Sequence, residues 1–229
     1  MSAPPRDPEP TAHADAGHRP ALSARHPLVV HREALLGCRQ CPDVIPPVVS
    51  GRAVETEIFF IGQAPGIHEG AIGQPFAWTA GKTLFRWFGT IGVSEADFRA
   101  RVYMTAVLRC FPGKAKSGGG DRVPVRDEIE RCAAWMREEV RIVRPRLVIA
   151  VGRLAIERLA QRPFGTLDAV VGPLHRATFF GHEVDWVALP HPSGLSSWPK
   201  LEPGKSLLAQ SLDTLAAHPS FARTFAAAR

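Results

Sequence analysis

The chain has 229 residues, 45% of them hydrophobic, and a formal net charge of +6. That length suits one compact domain with a full core rather than two. No apolar run approaches the roughly 18 residues that span a bilayer, and the first residues lack the basic start and apolar stretch of an export signal. The expectation is a cytoplasmic protein with no membrane partner. A basic balance favours polyanions, nucleic acid above all, without naming a fold or a site.

Residues 1–26 are rich in Pro, His, Ala and Asp and are expected to form a disordered tail. A helix over residues 29–36 leads into Cys38-Arg39-Gln40-Cys41 and a Pro-rich stretch. Residues 57–61 form a buried strand that runs into Gly62. Leu84, Phe85, Phe88 and Ile91 recur at helical spacing over residues 80–91, and Ser94 caps a short helix to Arg99. Residues 102–108 read as a second strand, 111–124 as a loop with three consecutive glycines, and 125–143 as a helix. A third strand over 147–151 enters a helix at Gly152. Two more strands, 175–180 and 183–189, flank Gly181-His182, and a last helix covers 204–216. A domain over residues 27–217 and a frayed tail over 218–229 complete the division. Strands alternating with helices imply an α/β fold, a three-layer α/β/α sandwich with a mostly parallel central sheet.

Ligands of such sheets bind beyond the carboxyl ends of the strands. Two loops leave strand ends here. The first, Gly62-Gln63-Ala64-Pro65-Gly66, can bring backbone amides close to a polar ring or a phosphate; it also fits an ordinary turn. Gly73-Gln74-Pro75-Phe76 follows, and Phe76 suits either a stacking platform for a base or a place in the core. The second loop begins His191-Pro192-Ser193-Gly194-Leu195-Ser196. A fixed His191 can donate to a developing oxyanion. Ser193, Gly194 and Ser196 suit phosphate contacts, and Leu195 a wedge that fills the gap left by an extruded base. The bland reading is a surface turn with a satisfied histidine.

Cys38, Cys41, Cys110 and Cys132 are the four cysteines. In a reducing compartment they point to a metal rather than to disulfides. Four thiolates suit either zinc or a [4Fe–4S] cluster.

The first loop, Gly73-Gln74-Pro75-Phe76, Thr105-Ala106-Val107-Leu108-Arg109-Cys110 and His191-Pro192-Ser193 together resemble the motifs of the uracil-DNA glycosylase superfamily. The likeness spans residues 38–212, and the cysteine layout resembles its iron–sulfur families 4 and 5. The resemblance implies a structural [4Fe–4S] cluster on the four cysteines and excision of uracil from DNA, leaving an abasic site. Deoxyuridine is extruded, the bond from C1′ to N1 breaks, and the sugar becomes oxocarbenium-like. His191 is expected to stabilise the uracil anion and Phe76 to stack on the ring. Gly62, Gln63, Ala64, Pro65, Gly66 and Ala106 are expected around the base, and a monomer is the expected state.

The chain also departs from those families. Family 4 has Glu where Gln63 stands and an Asn where Ala106 stands. Family 5 has an Asp shortly after its Pro-Phe step, where this chain has Trp78-Thr79-Ala80-Gly81, while His-Pro-Ser resembles family 1. A neutral amide orients water but is no general base. Glu69, with His68 beside it, is the substitute candidate, and a solvated pair of loop residues is the other reading. Two further functions stay open: a protein that traps the sugar cation covalently through His68 or His191, and a non-catalytic module that binds uracil or abasic DNA. The segment 117–122 suits either a DNA-facing insertion or a surface loop. A thioredoxin-like role is excluded, because Cys38-x-x-Cys41 does not open a helix in such a unit.

Overall fold

The computed structural model describes residues 21–116, 118, 120–194 and 196–226. Most of the expected N-terminal tail, residues 1–20, lies outside them. β1 (Ile58–Gly62), β2 (Tyr103–Ala106) and β3 (Leu147–Val151) are buried at every position. That is the pattern of parallel strands covered on both faces. β4 (His175–Phe179) and β5 (His182–Leu189) form an antiparallel hairpin turned by Phe180 and Gly181, both at positive φ. The sheet order is β2-β1-β3-β5-β4, with every pair but the last parallel.

Alternation within each strand builds two cores. Ile58, Phe60, Met104, Ile149 and Leu189 face α3 (Thr79–Thr90), α4 (Glu95–Arg101), α7 (Gly204–Ala217) and α8 (Pro219–Phe225). Phe59, Ile61, Tyr103, Val148 and Trp186 face α1 (Pro27–Leu36), α5 (Arg126–Val143) and α6 (Arg153–Ala160). This is the expected α/β/α sandwich. Among the described residues no helix is long and apolar enough to cross a membrane.

The structure differs from the sequence reading at three places. The expected frayed tail from residue 218 is instead helical over most of its length. His218 caps α8 by accepting from the Ser220 N–H, and Phe221 and Phe225 are buried against the first core. The second strand ends early, at Ala106, because the N–H groups of Val107 and Leu108 turn to the carbonyls of Gly62 and Gln63. The third difference is a one-and-a-half-turn helix, α2 (Ile67–Ile72), directly after the first loop.

The outer edge of β2 is covered by an extended segment. Val49 N–H bonds to Arg109 O, Gly51 N–H to Met104 O, and Ile45 pairs with Phe111. Gly51 is required by this approach, since a Cβ there would lie 2.6 Å from Met104 O. The same segment carries the Cys38–Cys41 loop to the end of β2.

Behind that end lies a buried charge pair. Arg109 and Glu139 are 1% and 0% exposed, and Arg109 Nη1 and Nη2 donate to Glu139 Oε1 and Oε2 at 2.9 and 2.5 Å. Arg109 Nε donates to Ala106 O at 2.7 Å, and the Tyr103 hydroxyl donates to Glu139 Oε1 at 2.8 Å. A buried pair with its hydrogen bonds filled is tolerated, whereas one charge left alone is not. Arg109→Met is therefore expected to destabilise the protein by about 3–5 kcal/mol in denaturant unfolding, and Arg109→Met with Glu139→Met to recover most of that loss.

Candidate active site

The carboxyl ends of β1 and β5 carry the two loops singled out from the sequence. Gly62 sits opposite Ala106 in the β1–β2 register. The bonds from Val107 and Leu108 hold the first loop down, so Gln63 and Ala64 are half-buried and Pro65 is buried. Gly66 then caps α2.

Phe76 is held in an unusual backbone state. Its φ is 54°, a region that non-glycine residues seldom occupy. Three restraints keep it there. Arg99 donates to Pro75 O at 2.8 Å and to Phe76 O at 2.9 Å. Gly81 leaves room for that carbonyl, since a Cβ there would lie 1.7 Å from it. Glu69 accepts from the N–H groups of Phe76 and Ala77. The ring then lies across Gly62, where a Cβ would meet Phe76 Cε2 at 2.7 Å, and packs edge-on against Phe60. Phe76 is 9% exposed, so the ring belongs to the core at the carboxyl end of β1. Of the two sequence readings of Phe76, the place in the core is the one seen here.

Glu69 is buried on α2 and also accepts from the Gly66 N–H at 3.1 Å. Burial pushes its carboxyl up to about 7, against the pull of the Gly66, Phe76 and Ala77 amides and of Arg99. Expected as the group that activates water, it joins the first loop to the Phe76 turn. Neighbouring His68 is exposed and packs on Trp78, with ring centroids 4.5 Å apart and the planes tilted by 35°. Trp78 is itself 49% exposed.

His191 leaves β5 and packs against Gly152, where a Cβ would lie 3.1 Å from the imidazole Cδ2. Its Nδ1 accepts from the Ser193 N–H at 3.3 Å. Burial holds the imidazole below its ordinary value. A neutral ring with Nδ1 accepting carries its proton on Nε2, which leaves that atom a donor. Ser193 and Ser196 are half-buried and Gly194 is exposed, while Leu195 lies outside the described residues.

Sequence reasoning missed one carboxylate. The loop at 111–124 contains a small hairpin in which Lys114 bridges Asp121 and Arg122 N–H returns to Gly113 O. Asp121 Oδ2 lies 3.6 Å from where a Cβ on Gly66 would be, and its charge acts on His191. Two carboxylates, Glu69 and Asp121, thus meet the first loop from different elements. Its only sequence signal was the basic, glycine-rich character of the segment.

The four cysteines also converge. Cys38 and Cys41 follow α1, Cys110 follows β2, and Cys132 lies on α5. All four are free thiols. Burial pushes Cys110 up to about 11, and Cys132, Cys38 and Cys41 add to the shift, so the four share one electrostatic neighbourhood. Burial likewise raises Cys41 and Cys132. The Arg109 N–H donates to Cys132. Among the described residues no three metal-binding side chains are grouped closely enough to hold a single ion. Four soft donors brought together without disulfides fit a polynuclear, thiolate-held group by their chemistry.

A mostly parallel sheet, two loops at the carboxyl ends of its strands and four cysteines at one edge define the class. Residues 49–215 match the model of the Uracil DNA glycosylase superfamily, and the chain belongs to that family. A type-4 uracil-DNA glycosylase of Archaeoglobus fulgidus is 30% identical over 176 residues, 73% of this chain and 82% of the relative. A type-4 uracil-DNA glycosylase of Pyrobaculum aerophilum is 27% identical over 175 residues, 74% of this chain and 84% of the relative. A type-5 uracil-DNA glycosylase of Thermus thermophilus is 32% identical over 147 residues, 58% of this chain and 64% of the relative.

The Glu69 environment has a pH signature. A carboxyl raised in the folded state binds its proton more tightly there than in the unfolded chain. Stability from this group is full below its ordinary value and is lost as pH rises through about 7. Glu69→Gln, which cannot ionise, is expected to gain on the wild type by up to about 3 kcal/mol between about pH 5 and pH 8. Thermal unfolding of both proteins across that range checks it.

Proposed function

We propose that this protein is a uracil-DNA glycosylase that hydrolyses the N-glycosidic bond of deoxyuridine in DNA and leaves an abasic site. The observation that carries the reading is the pairing of two groups at one strand-end site. Phe76 is clamped into a strained turn across Gly62, and His191 presents a neutral Nε2–H from β5. Strain held by three separate restraints marks a place where geometry matters to chemistry.

In this reading the extruded uracil enters between the first loop and His191. The first-loop backbone, Gly62 to Gly66, and Ala106 border the ring, and Phe76 packs on its face. As the C1′–N1 bond breaks, its electron pair goes to uracil, and charge collects on the O2 side. His191 Nε2–H meets that charge without gaining or losing a proton, because burial keeps the imidazole neutral. Gln63 orients water. Glu69 acts by positioning, holding the first loop and the Phe76 turn at a fixed spacing. His68, packed on exposed Trp78, lies at the rim. Ser193, Gly194, Leu195 and Ser196 serve the DNA strand.

Cys38, Cys41, Cys110 and Cys132 would hold a [4Fe–4S] cluster, which supplies a structural cross-link between the N-terminal segment, β2 and α5. Excision of uracil transfers no electrons, so the chemistry needs nothing else from it. The protein acts on DNA as a monomer.

Single-turnover cleavage of a uracil-containing oligonucleotide, developed with alkali, tests the reading. Wild type is expected to give alkali-labile product, and His191→Ala to slow it by roughly a hundred- to a thousandfold, the usual loss for one oxyanion donor. The same samples on a denaturing protein gel separate hydrolysis from trapping. A stable protein–DNA adduct would replace hydrolysis with covalent capture. Uracil-DNA binding without product would leave a lesion-binding protein.

A further inference from the structure

The first loop lacks a carboxylate of its own, and Gln63 stands where a base would be useful. The oxygens of Glu69 serve backbone amides of Gly66, Phe76 and Ala77. An oxocarbenium-like sugar and an attacking water both call for a nearby anion. The hairpin after β2 supplies one. Asp121 Oδ2 faces the first loop at Gly66, and its charge reaches His191 at the end of β5, so it approaches the first loop from a third element.

Its position is fixed by its neighbours. Arg122 donates to both carboxylate oxygens of Glu128 on α5, at 2.8 and 2.5 Å, and to Asp43 O at 3.0 Å. Glu128 in turn accepts from the Val125 N–H at 2.9 Å. The hairpin base is therefore tied to α5 and to the cysteine loop. Lys114 Nζ takes Asp121 Oδ1 at 2.7 Å, leaving Oδ2 toward Gly66. A surface ion pair with Lys114 alone would explain the first contact but not the second.

We propose that Asp121 is the catalytic carboxylate of this enzyme, carried on the hairpin instead of the first loop. The inference rests on the proposed excision of uracil. As the C1′–N1 bond breaks, its electron pair leaves with uracil and positive charge develops on the sugar beside Asp121. Water then forms the new C1′–O bond, and the proton it loses passes to Oδ2. Uracil leaves as the anion held by His191 and takes its proton from solvent.

Asp121→Asn, Asp121→Ala and Asp121→Glu, each checked by thermal unfolding, test this against the wild type in single-turnover excision and in affinity for uracil DNA. A carboxylate beside phosphates weakens binding, so a merely electrostatic surface residue would bind DNA more tightly and react as fast or faster when replaced. The proposal expects the opposite split. Asp121→Asn slows excision by roughly a hundredfold or more while affinity is unchanged or tighter. Added formate accelerates Asp121→Ala and leaves wild type unaffected, and Asp121→Glu keeps part of the rate. Wild-type excision with Asp121→Asn equally fast would overturn the role of Asp121 alone. Rate and affinity falling together, without formate rescue, would also overturn it, leaving the hairpin a structural role. A wild type that does not excise uracil would overturn the functional reading beneath it.

Discussion

The buried pair of Arg109 and Glu139 is the constraint on which the two working regions depend. Arg109 fixes the carbonyl of Ala106, the residue in register with Gly62, and its own N–H reaches Cys132. Glu139 gathers Tyr103 and Thr105 from β2 onto α5. One ion pair therefore sets how the end of β2 meets both the first loop and the cysteine group. Its bidentate geometry and filled hydrogen bonds offset the desolvation of two charges. A hydrophobic pair of similar volume would be equally tolerable for stability, so what the charges add is direction at Ala106 and at the backbone of residue 109.

A second level of organisation is the use of buried polar groups to hold strained backbone. Arg99 and Glu69 grip the Phe76 turn from opposite sides, Arg99 by its carbonyls and Glu69 by its amides. Gly81 and Gly62 are the positions where a side chain would break that arrangement. Burial is the largest cause of the raised carboxyl of Glu69. His191 is treated alike: packing against Gly152 and an accepted N–H fix its orientation and keep it neutral. In the proposed excision, groups fixed this way would meet a leaving anion as preorganised dipoles, with no rearrangement as the bond breaks.

The sequence carried the layered fold and the two strand-end loops plainly. β1, β3 and the helices over 79–90, 126–143 and 204–217 have strong periodicity or long apolar runs, and these signals are local. α2 was not legible because six residues give too little period, and its start depends on a reach-back from Glu69 that sequence does not reveal. α8 was lost because a histidine cap is a weak signal and because Phe221 and Phe225 find their partners far along the chain, on α4 among others. Motif order identified Gly62–Gly66, Phe76 and His191. The contacts of Glu69 and the approach of Asp121 to Gly66 are tertiary facts. Asp121 reaches Gly66 only because Arg122 and Glu128 anchor a hairpin whose sequence reads as loop.

The central claim is that Phe76, the first loop and His191 form one base pocket at the carboxyl ends of β1 and β5. A crystal structure of the protein with a uracil-containing oligonucleotide measures this directly. The account expects the uracil ring packed against Phe76, bordered by Gly62 to Gly66, with O2 within hydrogen-bond distance of His191 Nε2. A base bound elsewhere on the protein, or in the pocket with His191 turned away from it, would contradict the account.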